Sequence, residues 1–89
     1  MLSKEVTIVN KLGLHARAAA KFVSLASRFK SEVHVARDGR RVNGKSIMGV
    51  MMLAAARGTT VVLDVEGEDE QQALNELEEL IEQRFGEEA

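Results

Sequence analysis

His15 is the side chain best placed for chemistry in this sequence, because it stands where a helix should begin. A helical pattern starts at Ala16, and helices usually begin with Ser, Thr, Asp or Asn, whose side chains bond to free backbone N–H groups. Here a histidine takes that position, and Gly13 before it allows the chain to turn sharply. A departure from capping preference with no evident gain in stability favours a functional explanation.

The surroundings of His15 indicate nucleophilic attack on phosphorus. The first helical turn offers unpaired N–H groups and the positive end of the helix dipole, which together bind an anion. A neutral imidazole has a ring nitrogen with a free lone pair, which can attack phosphorus at neutral pH. Arg17 adds a guanidinium fork whose shape suits phosphoryl oxygens. Nucleophile, anion site and countercharge therefore lie close together in the sequence.

A lone histidine is more often an incidental loop residue, and this alternative applies to both histidines of the chain. For His15 the missing cap, the glycine and the arginine argue against it. His34 lies between two valines on the outward face of a predicted strand, which is typical of a solvated side chain. No metal-ligand spacing joins the two histidines to carboxylates, and the chain has no cysteine. We therefore expect neither a metal nor a cofactor.

The hydropathy pattern predicts seven elements in the order β-α-β-β-α-β-α. Alternating residues predict strands at 5–9, around 33–35, at 40–42 and at 59–66, with Asp38-Gly39 as a hairpin turn. Apolar residues at helical spacing predict helices at 16–29 and at about 69–85. Ser46 is a suitable N-cap for a short helix reaching Ala56. The expected architecture is α+β, with the helices on one face of a mainly antiparallel sheet.

The short helix predicted after Ser46 is apolar on every side. One sheet face is too small to cover all of it, so some of its large side chains should stay exposed. We expect an exposed patch with adaptable methionines, a docking surface drawn from Ile47, Met48, Met51 and Met52. Basic residues near it would complement acidic partner surfaces, namely Arg17, Lys21, Arg28 and Lys45. The alternative is a short core helix.

Composition and charge argue against several other classes of function. The 89 residues carry a net charge of −2, so no overall basic field attracts nucleic acid. The only aromatic residues are Phe22, Phe29 and Phe85, at positions that look like core, which leaves no stacking platform for bases. No apolar run approaches the length of a signal peptide or a membrane span, so a cytoplasmic location is expected.

Two segments resemble the signatures of one known family. Residues 13–19, Gly-Leu-His-Ala-Arg-Ala-Ala, are similar to the phosphorylation-site signature of HPr, the histidine-containing phosphocarrier of the bacterial phosphoenolpyruvate-dependent phosphotransferase system. Residues 43–53, Asn-Gly-Lys-Ser-Ile-Met-Gly-Val-Met-Met-Leu, resemble its second signature. The resemblance extends over essentially the whole chain and implies a single HPr-like domain at 1–89.

The resemblance implies a fold, a function and partners. The fold would be an open-faced β-sandwich, a four-stranded antiparallel sheet covered on one face by three helices. His15 would take a phosphoryl group on Nδ1 from phosphorylated enzyme I and pass it to an A-type component of a permease or regulator. Arg17 and the backbone N–H of Ala16 would bind the phosphate. Such a protein is a phosphoryl carrier rather than an enzyme, and we expect a monomer.

Ser46 has two explanations. Serine is a preferred helix cap, and this alone accounts for its position. In many bacteria the matching serine of the family is phosphorylated by a dedicated kinase, so the resemblance implies an HPr kinase/phosphorylase as a further partner. Both explanations stay open on the sequence.

Two positions depart from the family pattern. The family usually has proline where this chain has Ala18, and many members carry a small polar residue where it has Leu12. In these differences the chain is similar to the nitrogen-regulatory branch of the family. The sequence therefore leaves open whether the phosphoryl acceptor serves sugar uptake or regulation.

Two other classes of function also stay open. One is a regulatory interaction module with phosphate on His15 as a signal, and the other is a small phosphohydrolase or phosphotransferase, although no general acid is visible.

Overall fold

Four strands form one antiparallel sheet in the spatial order β1-β4-β2-β3. In the computed structural model, which describes residues 1–89, the strands are β1 (Leu2–Thr7), β2 (Glu32–Arg37), β3 (Arg40–Asn43) and β4 (Thr60–Glu66). β4 pairs with β1 on one side and with β2 on the other, and β3 pairs with β2. Asp38 and Gly39, with φ of 49° and 81°, form the turn between β2 and β3, which confirms the hairpin predicted from this dipeptide.

Three helices, α1 (Ala16–Ala26), α2 (Ile47–Met52) and α3 (Glu70–Glu82), cover one face of the sheet, and a 3₁₀ turn (Arg84–Gly86) follows α3. Alternate residues of the strands and one stripe of each long helix are buried between these two layers, among them Phe22, Leu63 and Leu77. The predicted α+β architecture and the order β-α-β-β-α-β-α are confirmed. None of the helices has the length and hydropathy that a membrane span requires.

The first strand begins and ends earlier than predicted. It runs from Leu2 to Thr7, paired along its whole length with β4, whereas the alternating pattern predicted residues 5–9. The pattern failed because Lys4 occupies the row of β1 that also carries the buried Val6. At the rim of the sheet a lysine is stable there, since its ammonium lies 2.6 Å from the carboxylate of Glu78 on α3.

All three helices end earlier than predicted. α1 ends at Ala26 rather than near Phe29, because the chain then continues in tight turns. α2 ends at Met52 rather than Ala56, and α3 ends at Glu82 rather than Phe85. At the end of α2, arginines of the β2–β3 hairpin take the free carbonyl groups: Arg37 donates to Leu53 and Ala54, and Arg40 donates to Met52. These are long-range contacts, which local sequence cannot reveal.

Candidate functional site

His15 is the N-cap residue of α1, where the sequence predicted it. Its backbone is extended, with φ −76° and ψ 177°, and its side chain makes no cap hydrogen bond. Its carbonyl accepts the first helical bond from Ala19 at 2.9 Å. The backbone N–H groups of Ala16 and Arg17 have no acceptor in the protein, so they are free to bind an anion at the positive end of the helix.

Gly13 makes the turn that brings His15 to this position. Its φ of +68° lies in the left-handed region, and a Cβ at this residue would lie 2.5 Å from the carbonyl oxygen of Ala55. The next residue, Leu14, donates its N–H to the same oxygen at 2.9 Å. The segment before His15 is therefore fixed against the chain that follows α2, and α1 and α2 also pack on each other. This places α2 beside the histidine loop.

The side chain of Arg17 is exposed and makes no hydrogen bond or ion pair within the protein. It lines one open pocket together with His15, Ala16 and Glu87. The structure thus brings together the predicted nucleophile, the predicted backbone donor and the predicted guanidinium. An anion in this pocket would meet free N–H groups and a free guanidinium, and both favour a phosphoryl group.

Glu87 also belongs to the site, and the sequence patterns did not indicate it. Its Oε2 lies 2.5 Å from Nε2 of His15, and its Oε1 accepts a hydrogen bond of 3.0 Å from Nδ2 of Asn10. The hydrogen bond from Asn10, followed by that from His15, holds the pKa of the Glu87 carboxyl below its ordinary value. Glu87 lies 72 positions after His15 and outside both signatures, so no local spacing could have linked them.

The large apolar side chains of α2 are exposed, as the sequence predicted. The exposed fractions are 43% for Ile47, 72% for Met48, 38% for Met51 and 58% for Met52. Val50 is the one residue of α2 that is buried. Below, these four exposed residues are called the α2 patch, and their binding of partners stays a prediction.

Other predicted residues already have partners within the chain. Lys21 donates from Nζ to the carbonyl of Phe85 at 2.7 Å, and Lys45 donates to the carbonyl of Phe29 at 2.8 Å. Both lysines were predicted to bind partner proteins; each also bonds to the backbone of another segment, and their binding of partners stays a prediction. The side chain of Ser46 accepts from the N–H of Gly49 at 3.1 Å, which confirms it as the cap of α2.

The second histidine lies away from this site. His34 belongs to β2 and is paired in register with Asp64 of β4, half-buried. No three His, Asp or Glu side chains lie close enough together to hold a metal ion. The predicted chemistry therefore concentrates at the start of α1.

This fold and this histidine together define a class, the small α+β phosphocarrier proteins. The sequence pattern of the family described as PTS HPr component phosphorylation site matches residues 2–83. The phosphocarrier protein HPr of Cupriavidus necator is 59% identical over 87 residues, which cover 98% of each chain. The chain belongs to the HPr family of phosphocarrier proteins of the phosphotransferase system.

Solved structures agree with this assignment. The crystal structure of HPr-C-His from Thermoanaerobacter tengcongensis is similar with a TM-score of 0.96 at 49% identity, over 100% of both chains. A crystal structure of the HPr dimer from the same organism has a TM-score of 0.78 at 52% identity, over 94% of this chain and 99% of that one. The fold is therefore that of HPr.

Proposed function

We propose that this chain takes a phosphoryl group from phosphorylated enzyme I onto Nδ1 of His15 and passes it to an A-type component of a permease or regulator. The observation that carries the proposal is the geometry at the start of α1. Nδ1 of His15 makes no hydrogen bond in the protein, while the N–H groups of Ala16 and Arg17 have no acceptor. Membership of the HPr family supports the class of donor and acceptor.

The transfer requires a nucleophile and a place for negative charge. The lone pair of Nδ1 forms the new bond to phosphorus, while the bond from phosphorus to the donor breaks and leaves its electrons on the donor. The negative oxygens of the transferred group then lie at the positive end of α1, close to the free N–H groups and to the guanidinium of Arg17. The same arrangement operates in reverse when the group leaves for an acceptor.

A carrier is favoured over a hydrolytic enzyme by the state of the nearest carboxylate. Hydrolysis would need a general base to activate water. Glu87 is the carboxylate closest to His15, and both of its oxygens are engaged, one by Asn10 and the other by the ring itself. Its bond to the ring is at Nε2, away from Nδ1, so Glu87 is not placed to activate water at the phosphorus, and the phosphoryl group is expected to persist until an acceptor protein docks.

The α2 patch is proposed as the surface that docks enzyme I and the acceptors. It is apolar and exposed, on a helix that lies beside the histidine loop, and because partners need access to it we expect a working monomer. A cytoplasmic location stays a prediction. Ser46 begins α2 and is proposed as a regulatory site for an HPr kinase/phosphorylase. A phosphate at this residue would lie at the edge of the same docking surface.

The test is phosphorylation by phosphoenolpyruvate and enzyme I. The parent protein should take up one phosphate per chain, stable in base and labile in acid, with the ³¹P signal of an Nδ1-phosphohistidine. His15→Ala should take up none, and the matched control His34→Ala should behave as the parent. Uptake that persists in His15→Ala would show that the site lies elsewhere.

Onward transfer separates a carrier from a signalling module. Purified phosphorylated protein is mixed with candidate A-type acceptors, and movement of labelled phosphate is followed in rapid-quench samples. A carrier loses its phosphate to an acceptor within seconds. Retention of phosphate with every acceptor would favour the regulatory interaction module.

A further inference from the structure

The chain after α3 adopts a backbone conformation that L-amino acids rarely take. Arg84 and Phe85 have φ of 57° and 54°, and Gly86 follows with φ of 77°. Non-glycine residues in this left-handed region cost free energy, and they persist only where the surrounding structure holds them. These three residues reverse the chain direction and send residues 87–89 back towards α1.

Several contacts hold this reversed segment in place. The side chain of Phe85 is 1% exposed, and its carbonyl accepts a hydrogen bond from Nζ of Lys21 on α1. Asn10 is fully buried, and its Nδ2 donates both to Oε1 of Glu87 and to the carbonyl of Gly13. The turn that positions His15 and the segment that carries Glu87 therefore share one buried amide group.

These contacts bring the carboxylate of Glu87 into hydrogen-bond contact with the His15 ring. Oε2 of Glu87 lies 2.5 Å from Nε2 of His15, with 15% of the Glu87 side chain and 27% of the His15 side chain exposed. An ionised carboxylate can only accept hydrogen bonds, so the tautomer of the neutral ring that fits this contact has its proton on Nε2. Nδ1 then has the free lone pair, and it makes no other contact that would occupy it.

We propose that Glu87 is a positioning residue for phosphoryl transfer at His15. Its carboxylate fixes the tautomer in which Nδ1 is the nucleophile, and it stabilises the positive charge that the ring gains in the reaction. When Nδ1 bonds to phosphorus and Nε2 keeps its proton, the ring changes from neutral to cationic while the donor keeps the electrons of the broken bond. This proposal rests on the proposed function of His15.

The negative charge of Glu87 lies beside Nε2, the ring nitrogen that keeps its proton during transfer. A hydrogen bond between a charged acceptor and a forming imidazolium is stronger than one between neutral groups. The oxygen that carries this bond contacts Nε2, so the imidazole ring separates it from phosphorus on Nδ1. The negative oxygens of a phosphoryl group would have their own partners in Arg17 and the free N–H of Ala16.

The contact itself is tested without any partner protein. The His15 ring is observed by ¹H–¹⁵N NMR at neutral pH in the parent, in Glu87→Gln and in the matched control Glu88→Gln. Glu88 is exposed and makes no hydrogen bond or ion pair, so its substitution removes the same charge without touching the ring. We expect a downfield, slowly exchanging Nε2 proton in the parent and the control. In Glu87→Gln this proton should exchange roughly tenfold faster, as a weaker bond implies. Identical ring spectra in all three proteins would overturn the proposal.

The consequence for transfer is tested by kinetics with phosphorylated enzyme I. Glu87→Gln should lower the maximal transfer rate roughly tenfold and leave KM unchanged, because the α2 patch is intact; the size follows from the loss of one charge-assisted hydrogen bond. Glu88→Gln should match the parent. An unchanged rate in Glu87→Gln, or a loss confined to KM, would overturn the positioning role. A parent protein that takes no phosphate on His15 would instead overturn the proposed function, and the ring spectra would still report on the contact.

Discussion

The guanidinium of Arg17 is available to bind a ligand, because no other group of the protein bonds to it. It is exposed, lacks any hydrogen bond or ion pair, and lines the pocket of His15. A guanidinium presents planar, paired N–H donors that match two oxygens of one phosphoryl group, whereas an ammonium acts as a point charge. If phosphate binding uses this geometry, a lysine of equal charge cannot replace the arginine.

Arg17→Lys should slow phosphoryl transfer from enzyme I by roughly tenfold, about the value of one lost charge-assisted hydrogen bond. The free energy of unfolding should stay the same, since Arg17 makes no contact that stabilises the fold. Rapid-quench kinetics and urea unfolding measure the two quantities. Arg28→Lys on the same helix is the matched control and should transfer at the parent rate. Equal rates in Arg17→Lys would show that the shape of the arginine is irrelevant.

Ser46 can be tested for its two roles separately. Ser46→Ala removes the bond to the N–H of Gly49 and should lower the free energy of unfolding by about 1 kcal/mol, with binding of enzyme I nearly unchanged. Ser46→Asp keeps a capping oxygen and adds charge at the edge of the α2 patch, so it should weaken binding at unchanged stability. A phosphoserine carries about −1.5 to −2 charges and should weaken binding more. Urea unfolding and titration calorimetry measure both effects. If Ser46→Asp binds as tightly as the parent, Ser46 is only a cap.

Of the three helices, α2 has the fewest buried residues. It has six residues, and one of them, Val50, is fully buried, while its last carbonyl groups are satisfied by arginines of the neighbouring hairpin. The helix is therefore held from its ends and by one core contact. Its remaining apolar side chains are free to contact another protein, so binding and stability should respond to different residues of the same helix.

Met48→Asp should weaken binding of enzyme I and change the free energy of unfolding by no more than about 0.5 kcal/mol, because Met48 is 72% exposed. Val50→Asp is the matched comparison on the same helix. It should destabilise the domain by several kcal/mol, because it buries an unpaired charge. Titration calorimetry and urea unfolding measure the two quantities. If Met48→Asp also destabilises by several kcal/mol, α2 is a core helix and the patch is not a docking surface.

Over the whole molecule, the sequence predicted what depends on local periodicity. The element order, the layered fold, the buried stripe of α1 and the uncapped position of His15 all follow from residues near each other in the chain. Lys4 obscured the start of β1, because it lies in the same row as the buried Val6, where its half-exposed side chain pairs with Glu78. Glu87 was also missed, since its contact with His15 depends on a chain reversal that no motif marks. Both of these misses were decided by contacts between distant residues.

One such contact joins the two layers of the molecule at the start of β2 and of α3. The carboxylate of Asp69 accepts hydrogen bonds from the hydroxyl and the N–H of Ser31, at 2.5 Å and 3.0 Å, and from the N–H of Lys30 at 2.9 Å. These bonds, led by that of the Ser31 hydroxyl, lower the pKa of Asp69 to about 2. Asp69 is the N-cap residue of α3, but its side chain makes no cap hydrogen bond, because its oxygens accept from Lys30 and Ser31 instead.

This contact makes the stability of the whole domain depend on pH in a specific way. The pKa of Asp69 is lower in the folded protein than the ordinary value of 3.8, so the unfolded chain takes up the proton first as the pH falls. The contribution of Asp69 to the free energy of unfolding is therefore fully present above the ordinary pKa and is lost as the pH falls towards about 2.

Asp69→Asn removes the charge, so its deficit in stability should be constant between about pH 5 and 7 and should shrink towards pH 2. Urea unfolding of both proteins across this range measures the deficit. Glu68→Gln is the control, since Glu68 is exposed and only 3.5 Å from an equally exposed Lys30, and it should show almost no deficit at any pH. A deficit of Asp69→Asn that stays the same down to pH 2 would mean that the shape of the side chain, and not its charge, joins the layers.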